Sequence, residues 1–393
     1  MSNIISSNSG TDNFSKALIL EFVLYGLIVW NAMADAVETV SSLFLLSFGV
    51  LLYMIYERRI VFKNSTLLLS IIVLSFFNVI ISCIVHSVSI NIPTAVNYLS
   101  FIATLSYLWL MCKTRMTEKA GLIVLSLGVI VAALYPLAIR VRGFSVDGSY
   151  FTMGFSNANL TGMFIFQGIL YCITGLFVYN KKILKLLCAA IIAMDFPLLL
   201  ATQARNCVIA LILMLFLVVY QLLRRKTIIA KWIIVFVVLF PILFVWIYLG
   251  LGDSLGFIEE QDNFFSNDGK NIGSRVQIWT TLLNQFKDNF LIGDYIALGG
   301  NAHNSHLVVL CSFGIVVFFL FLIFLYRVFL ISKENVSSIQ QSICLIAFMG
   351  TIFMGNAEGA LFCGAIGLYI PACTYIGLAN INWSQNEKKY HKK

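Results

Sequence analysis

The sequence predicts an all-α, polytopic membrane protein, with about twelve transmembrane helices in one domain and one larger external loop. Three observations predict it. Of the 393 residues 60% are hydrophobic and only 11% charged, and the mean hydropathy is +0.91, values outside the range of a soluble domain. The apolar residues gather into runs long enough to cross ~30 Å of hydrocarbon. They lack the alternation that would build a membrane β-barrel.

The runs lie near residues 17–34, 39–56, 66–85, 94–112, 120–139 and 158–179, then 183–201, 206–223, 229–250, 305–330, 338–355 and 360–379. Residues 1–16 read as a polar tail, 17–379 as the membrane domain and 380–393 as a basic tail. Ser2 to Ser15 lack the charged start and cleavage site of a signal peptide, so the first helix is expected to stay as an anchor. The nine cysteines are scattered through apolar runs without paired spacing and read as small core residues. Matching halves or internal repeats are absent.

Basic residues set the orientation, because Lys and Arg in short loops resist translocation. Arg58, Arg59 and Lys63 fall on one side with Lys113, Arg115, Lys119, Lys181, Lys182, Lys185, Arg224, Arg225, Lys226, Lys231, Arg327, Lys333 and the lysines of the C-terminal tail. Every second connection is basic, so both termini are expected in the cytoplasm. The net charge of +8 is then a topology signal, and nucleic acid is not expected as a partner. Residues 252–304 carry the opposite balance, with Asp253, Glu259, Glu260, Asp262, Asp268, Asp288 and Asp294 against Lys270, Arg275 and Lys287. This is the expected main external loop, and a connection so long in a chain of short ones is a place for function.

Four groups on that side carry chemistry. Gln203-Ala204-Arg205-Asn206 interrupts two apolar runs, where an arginine has no topological reason to stand; snorkelling to lipid headgroups is the plain alternative. Gly273-Ser274-Arg275-Val276-Gln277 has the spacing of a capping box and predicts a helix starting at Arg275. Val276, Trp279, Leu283 and Phe286 recur along it as an apolar stripe suited to the membrane interface. Its free N–H groups beside a guanidinium suit a phosphate.

His303 follows the Gly299-Gly300 pair at the entrance of the helix beginning near Ser305. A helix N-terminus favours the neutral imidazole, the form a general base needs. His306 lies one turn on, but two histidines without a carboxylate cluster are weak grounds for a metal. The fourth group is Arg140 and Arg142 with Gly154-Phe155-Ser156-Asn157-Ala158-Asn159, and with Asp195 and Glu358 at or near membrane depth. Acids at that depth are functional candidates, and pairing of Asp195 with an arginine is the structural alternative.

In this arrangement the chain resembles the O-antigen ligase and Wzy-type polysaccharide polymerase superfamily of bacterial envelope glycosyltransferases. The resemblance rests on Arg205 at a helix start, Gly273-Ser274-Arg275 with Trp279, the Gly-rich approach, and Ala302-His303-Asn304 followed by Leu307 and Gly314. Phe155-Ser156-Asn157-Ala158-Asn159 is similar to the family's asparagine-bearing element, with Ala158 where proline is common. Asn206 and His306 depart from the usual small and aromatic residues.

The resemblance implies transfer of a glycan from an undecaprenyl-diphosphate carrier to an acceptor hydroxyl, at the external face of the bacterial cytoplasmic membrane. No cofactor and no metal are implied, and the anomeric carbon is inverted. Carried onto this chain, His303 would be the base, with His306 as the alternative base, and Arg275 and Arg205 would hold the diphosphate. His306, Asn304, Asn157, Asn159, Arg140, Arg142 and Trp279 would contact substrate. Expected partners are the lipid-linked donor and acceptor, membrane lipid, and a flippase and chain-length regulator of the same pathway. The short chain without an appended soluble domain favours a polymerase of capsule, O-antigen or exopolysaccharide repeats. A ligase using another acceptor, a lipid-linked oligosaccharide flippase or transporter using Asp195, Glu358 and Arg205, and a non-catalytic scaffold are the alternatives.

Overall fold

The computed structural model describes residues 8–34, 37–63, 65–87, 91–142, 146–147, 150–151, 158–224, 229–254, 272–299, 303–355, 360–364 and 367–383. The chain runs through α1 (Asn8–Met33), α2 (Val37–Glu57), α3 (Arg59–Phe62), α4 (Thr66–His86), α5 (Ile92–Lys113) and α6 (Glu118–Arg142). A two-residue β-hairpin follows, β1 (Val146–Asp147) on β2 (Tyr150–Phe151). Then come α7 (Ala158–Val178), α8 (Lys182–Ala201), α9 (Arg205–Arg224), α10 (Lys231–Ser254) and α11 (Ile272–Asp288). A 3-10 turn, Tyr295–Gly299, leads to α12 (Ser305–Glu334), α13 (Ile339–Met354), α14 (Ala360–Cys363) and α15 (Tyr369–Ala379).

Among the described residues ten helices are long and apolar enough to cross a membrane, and α13 and α15 are shorter apolar helices. The polytopic all-α class read from composition is therefore what the chain forms. Local signals start several of these helices. Asn91 caps α5 by accepting from Thr94 N at 2.9 Å, with Pro93 just inside the helix. Ser338 and Gln341 close a capping box on α13.

The centre of the bundle is α5, α7, α12, α13 and α15, whose residues are mostly buried. Helices α2, α4 and α8 lie at the rim, with large apolar side chains such as Leu46, Phe77 and Leu186 exposed to what would be lipid. Close packing uses missing side chains. A Cβ on Gly128 of α6 would lie 2.6 Å from the Tyr171 ring of α7, and one on Gly168 of α7 would lie 2.9 Å from Ala132 of α6. Polar ties cross the centre as well: Ser47 donates to Glu21 Oε1 at 2.6 Å and meets the Tyr369 hydroxyl at 2.8 Å, joining α1, α2 and α15. All nine cysteines are free, and eight of them are buried.

Two expected spans are not straight helices. The run 360–379 is divided into α14 and α15, with Gly367 at φ +68° between them and the Gly364 carbonyl accepting from Ser100 Oγ at 2.7 Å. The run 305–330 bends sharply at Gly314, where φ is 77° and ψ 173°. On a straight helix His306 would lie ~18 Å from Phe318 and ~22 Å from Phe321. Their ring centroids are instead 6.4 and 5.3 Å apart. Residues 305–313 thus fold back against residues 315–334, and the His303–His306 segment re-enters the bundle.

Candidate active site

The re-entrant arm is held by a backbone exchange. In an unbroken helix the Ile315 N–H would donate to the Cys311 carbonyl. The bend separates them, and residues 290–294 satisfy both: Ile315 N donates to Phe290 O at 3.1 Å, and Asp294 N donates to Cys311 O at 2.6 Å. Asn78 of α4 donates to the Phe313 carbonyl at 2.6 Å. The chain before the arm is pinned too, by Ser82 Oγ accepting from Tyr295 N at 3.0 Å and by Asn97 donating to Leu298 O at 2.8 Å. Burial pushes the Tyr295 phenol above its ordinary value, and the nearby Cys83 acts in the same direction.

His303 stands at the start of the arm with φ +48°, a left-handed conformation that costs a side-chain-bearing residue about 1–2 kcal/mol. It is partly exposed. Asn304 caps the arm: its Oδ1 accepts from His306 N at 3.0 Å and Leu307 N at 2.9 Å, and its Nδ2 donates to the Pro241 carbonyl of α10 at 2.9 Å. Pro241 lies near the middle of α10, so the arm begins well inside the bundle. The sequence placed His303 at the mouth of a helix on the external surface; the bend at Gly314 places it deeper. His306 is fully buried, and its ring is boxed edge-on by Phe318, Phe321 and Phe362. Neither of its ring nitrogens meets a partner at full hydrogen-bond geometry, and the backbone of Val238 in α10 is the polar group facing the ring.

Arg205 opens α9 and is exposed, after a tight turn in which Gln203 has φ +53° and Arg205 N donates to Gln203 O at 2.9 Å. This turn rests on α7: a Cβ on Gly162 would overlap Ala204 and come within 3.0 Å of Thr202 Oγ1. Asn159 stands one helical turn before Gly162, on the same side of α7. The elements carrying Arg205 and His303 meet a common neighbour, α13, which packs on α7 and α9 and whose following Gly355 abuts Ser305.

Helix α11 begins at Ile272, three residues before the expected Arg275. The Arg275 backbone lies in its first turn, and its side chain is outside the described ones, as are those of Arg140 and Arg142 at the end of α6. Asn157 and Glu358 lie outside the described residues. Trp279 is buried against α10, with ring centroids 6.2 Å from Phe244 and 5.5 Å from Tyr248, so the stripe that the sequence sets in the interface also docks α11 on the bundle. Asp195 is fully buried and neither carboxyl oxygen has a hydrogen bond; pairing with an arginine is not seen among the described residues. Sequence reasoning missed Gly293, Asn78 and Asn97, which hold the arm. Their only signal is an asparagine inside an apolar run at 78 and 97.

No curated protein matches the chain. Residues 190–293 match the family model described as O-Antigen ligase, a stretch that contains Asp195, Arg205, Arg275 and Trp279 and ends ten residues before His303. Over that stretch the chain is shown to be similar to the O-antigen ligase and Wzy-type superfamily.

Proposed function

We propose that the protein is a polysaccharide polymerase, joining undecaprenyl-diphosphate-linked oligosaccharide repeat units by glycosyl transfer on the external face of the bacterial cytoplasmic membrane. The observation that carries this reading is the order of parts. The segment matching the O-antigen ligase model holds both arginines and is followed by a histidine fixed at the head of a re-entrant arm. In the reaction, His303 takes the proton from the acceptor hydroxyl as its oxygen attacks the anomeric carbon from the face opposite the carrier. The bond from that carbon to the diphosphate breaks, and the diphosphate leaves with the bonding electrons.

Arg275 and Arg205 hold the departing charge; a guanidinium stays protonated in a partly dehydrated site and can grip two phosphate oxygens. Each such contact contributes about 2–4 kcal/mol to the transition state. Arg140, Arg142, Asn157 and Asn159 contact glycan or phosphate. The chemistry asks for no metal and no cofactor. A flippase would supply the donor on this face and a chain-length regulator would end the polymer.

Purified protein in liposomes with undecaprenyl-diphosphate repeat units tests the reading, with products resolved by size. A ladder is expected. Transfer to a foreign acceptor without a ladder would make the protein a ligase. Lipid-linked substrate crossing the bilayer with no new glycosidic bond would overturn the enzyme reading and turn attention to the buried Asp195.

A further inference from the structure

Asn304 is fully buried and tied on two sides. Its Oδ1 closes the first turn of the arm through His306 N and Leu307 N, while its Nδ2 reaches across to the Pro241 carbonyl. The two ties are separable: the first is an N-cap that Ser or Asp could supply, and the second needs an amide donor at that reach. Immediately before Asn304, His303 is held in left-handed backbone space. A side-chain-bearing residue stays there only where its surroundings over-determine the conformation. On the C-terminal side, Asn304 provides that constraint, and it refers the position of His303 to α10.

We propose that Asn304 is a positioning residue: by clamping the head of the re-entrant arm to the Pro241 carbonyl, it fixes the direction of the His303 imidazole. What His303 does there rests on the glycosyl-transfer reading, whereas the clamp itself does not. Asn304→Asp keeps the cap but sets an oxygen against the Pro241 carbonyl, and Asn304→Ser keeps the cap but is too short to reach it. Both therefore break the clamp and spare the helix start.

The test uses the full chain in lipid nanodiscs with nitrogen-15-labelled histidine, His303→Ala assigning the His303 signals and His86 serving as internal reference. One set of His303 signals is expected in the wild type, and shifted or split signals in both variants with His86 unchanged. In the transfer assay kcat should fall on the order of 100-fold, with KM for the lipid-linked donor changed by less than about twofold and the acid limb of the pH profile retained. Loss of fold alone would move the His86 signal and KM as well. An unchanged His303 signal in Asn304→Ser overturns the proposal whatever reaction the protein performs, whereas a displaced signal with wild-type kcat upholds the clamp and overturns the dependence of transfer on the direction of His303. A displaced signal in a protein whose wild type transfers no glycan upholds the clamp and removes only the glycosyl-transfer reading.

Discussion

Gly293 and Gly314 meet backbone to backbone: a Cβ on Gly293 would lie 2.5 Å from Gly314 N, and a Cβ on Gly314 would overlap the Leu291 carbonyl. Both residues have φ near +80°, at 79° and 77°. The contact lets residues 290–294 enter the break in α12 and take over the hydrogen bonds that the break leaves open. Without it, the bend leaves the Ile315 amide and the Cys311 carbonyl unpaired, each a cost of about 1–3 kcal/mol.

Gly314→Ala should therefore destabilise the protein by about 2 kcal/mol or more, from left-handed strain and from collision with a backbone that has little room to shift. Thermal unfolding of the detergent-solubilised chain checks this, with Gly49→Ala as control, since nothing lies within 4 Å of a Cβ at Gly49. A melting temperature equally unchanged in both variants would mean that the bend does not need glycine.

Arg205→Ala and Arg275→Ala should each lower transfer by roughly 100- to 1000-fold, the scale set by removing one donor to a developing oxyanion. Membrane insertion and yield should stay at wild-type levels. Arg205→Lys should recover only part of the loss, because a lysine offers a point charge in place of a fork. Full activity in Arg205→Ala would return that residue to lipid-headgroup snorkelling.

Chelators should leave transfer unchanged, since neither the His303 base nor the two guanidiniums need a metal ion. An assay with excess EDTA, followed by added divalent cation, checks this. Strong inhibition reversed by one cation would revive a His303 and His306 pair.

Impermeant thiol labelling tests the orientation drawn from the basic loops. In a background cleared of native cysteine, Lys182→Cys at the start of α8 should react only from the cytoplasmic side and Asp288→Cys at the end of α11 only from the external side. Both native side chains are exposed. Reversed labelling would place the His303 arm on the wrong face for a lipid-linked donor.

The helices were legible in the sequence because each needs only an apolar run of membrane length. The helix starts near Ser305 and at Arg205 were equally local. The bend was not. Gly314 stands in an apolar run where a glycine most often serves helix packing, and its φ of 77° is required only because Phe290 and Asp294, 20 or more residues earlier, dock there. That long-range pairing leaves no periodic trace. For the same reason the depth of His303 and the box around His306 could not be read from spacing, which treats residues 305–330 as one straight rod.

The measurement that bears most directly on the account is glycosyl transfer from an undecaprenyl-diphosphate donor by wild type, His303→Ala and His306→Phe side by side. His303→Ala should form no detectable product, while His306→Phe, which fits a box of three phenylalanines, should keep most of the activity. Transfer surviving in His303→Ala and lost in His306→Phe would contradict the assignment of the base.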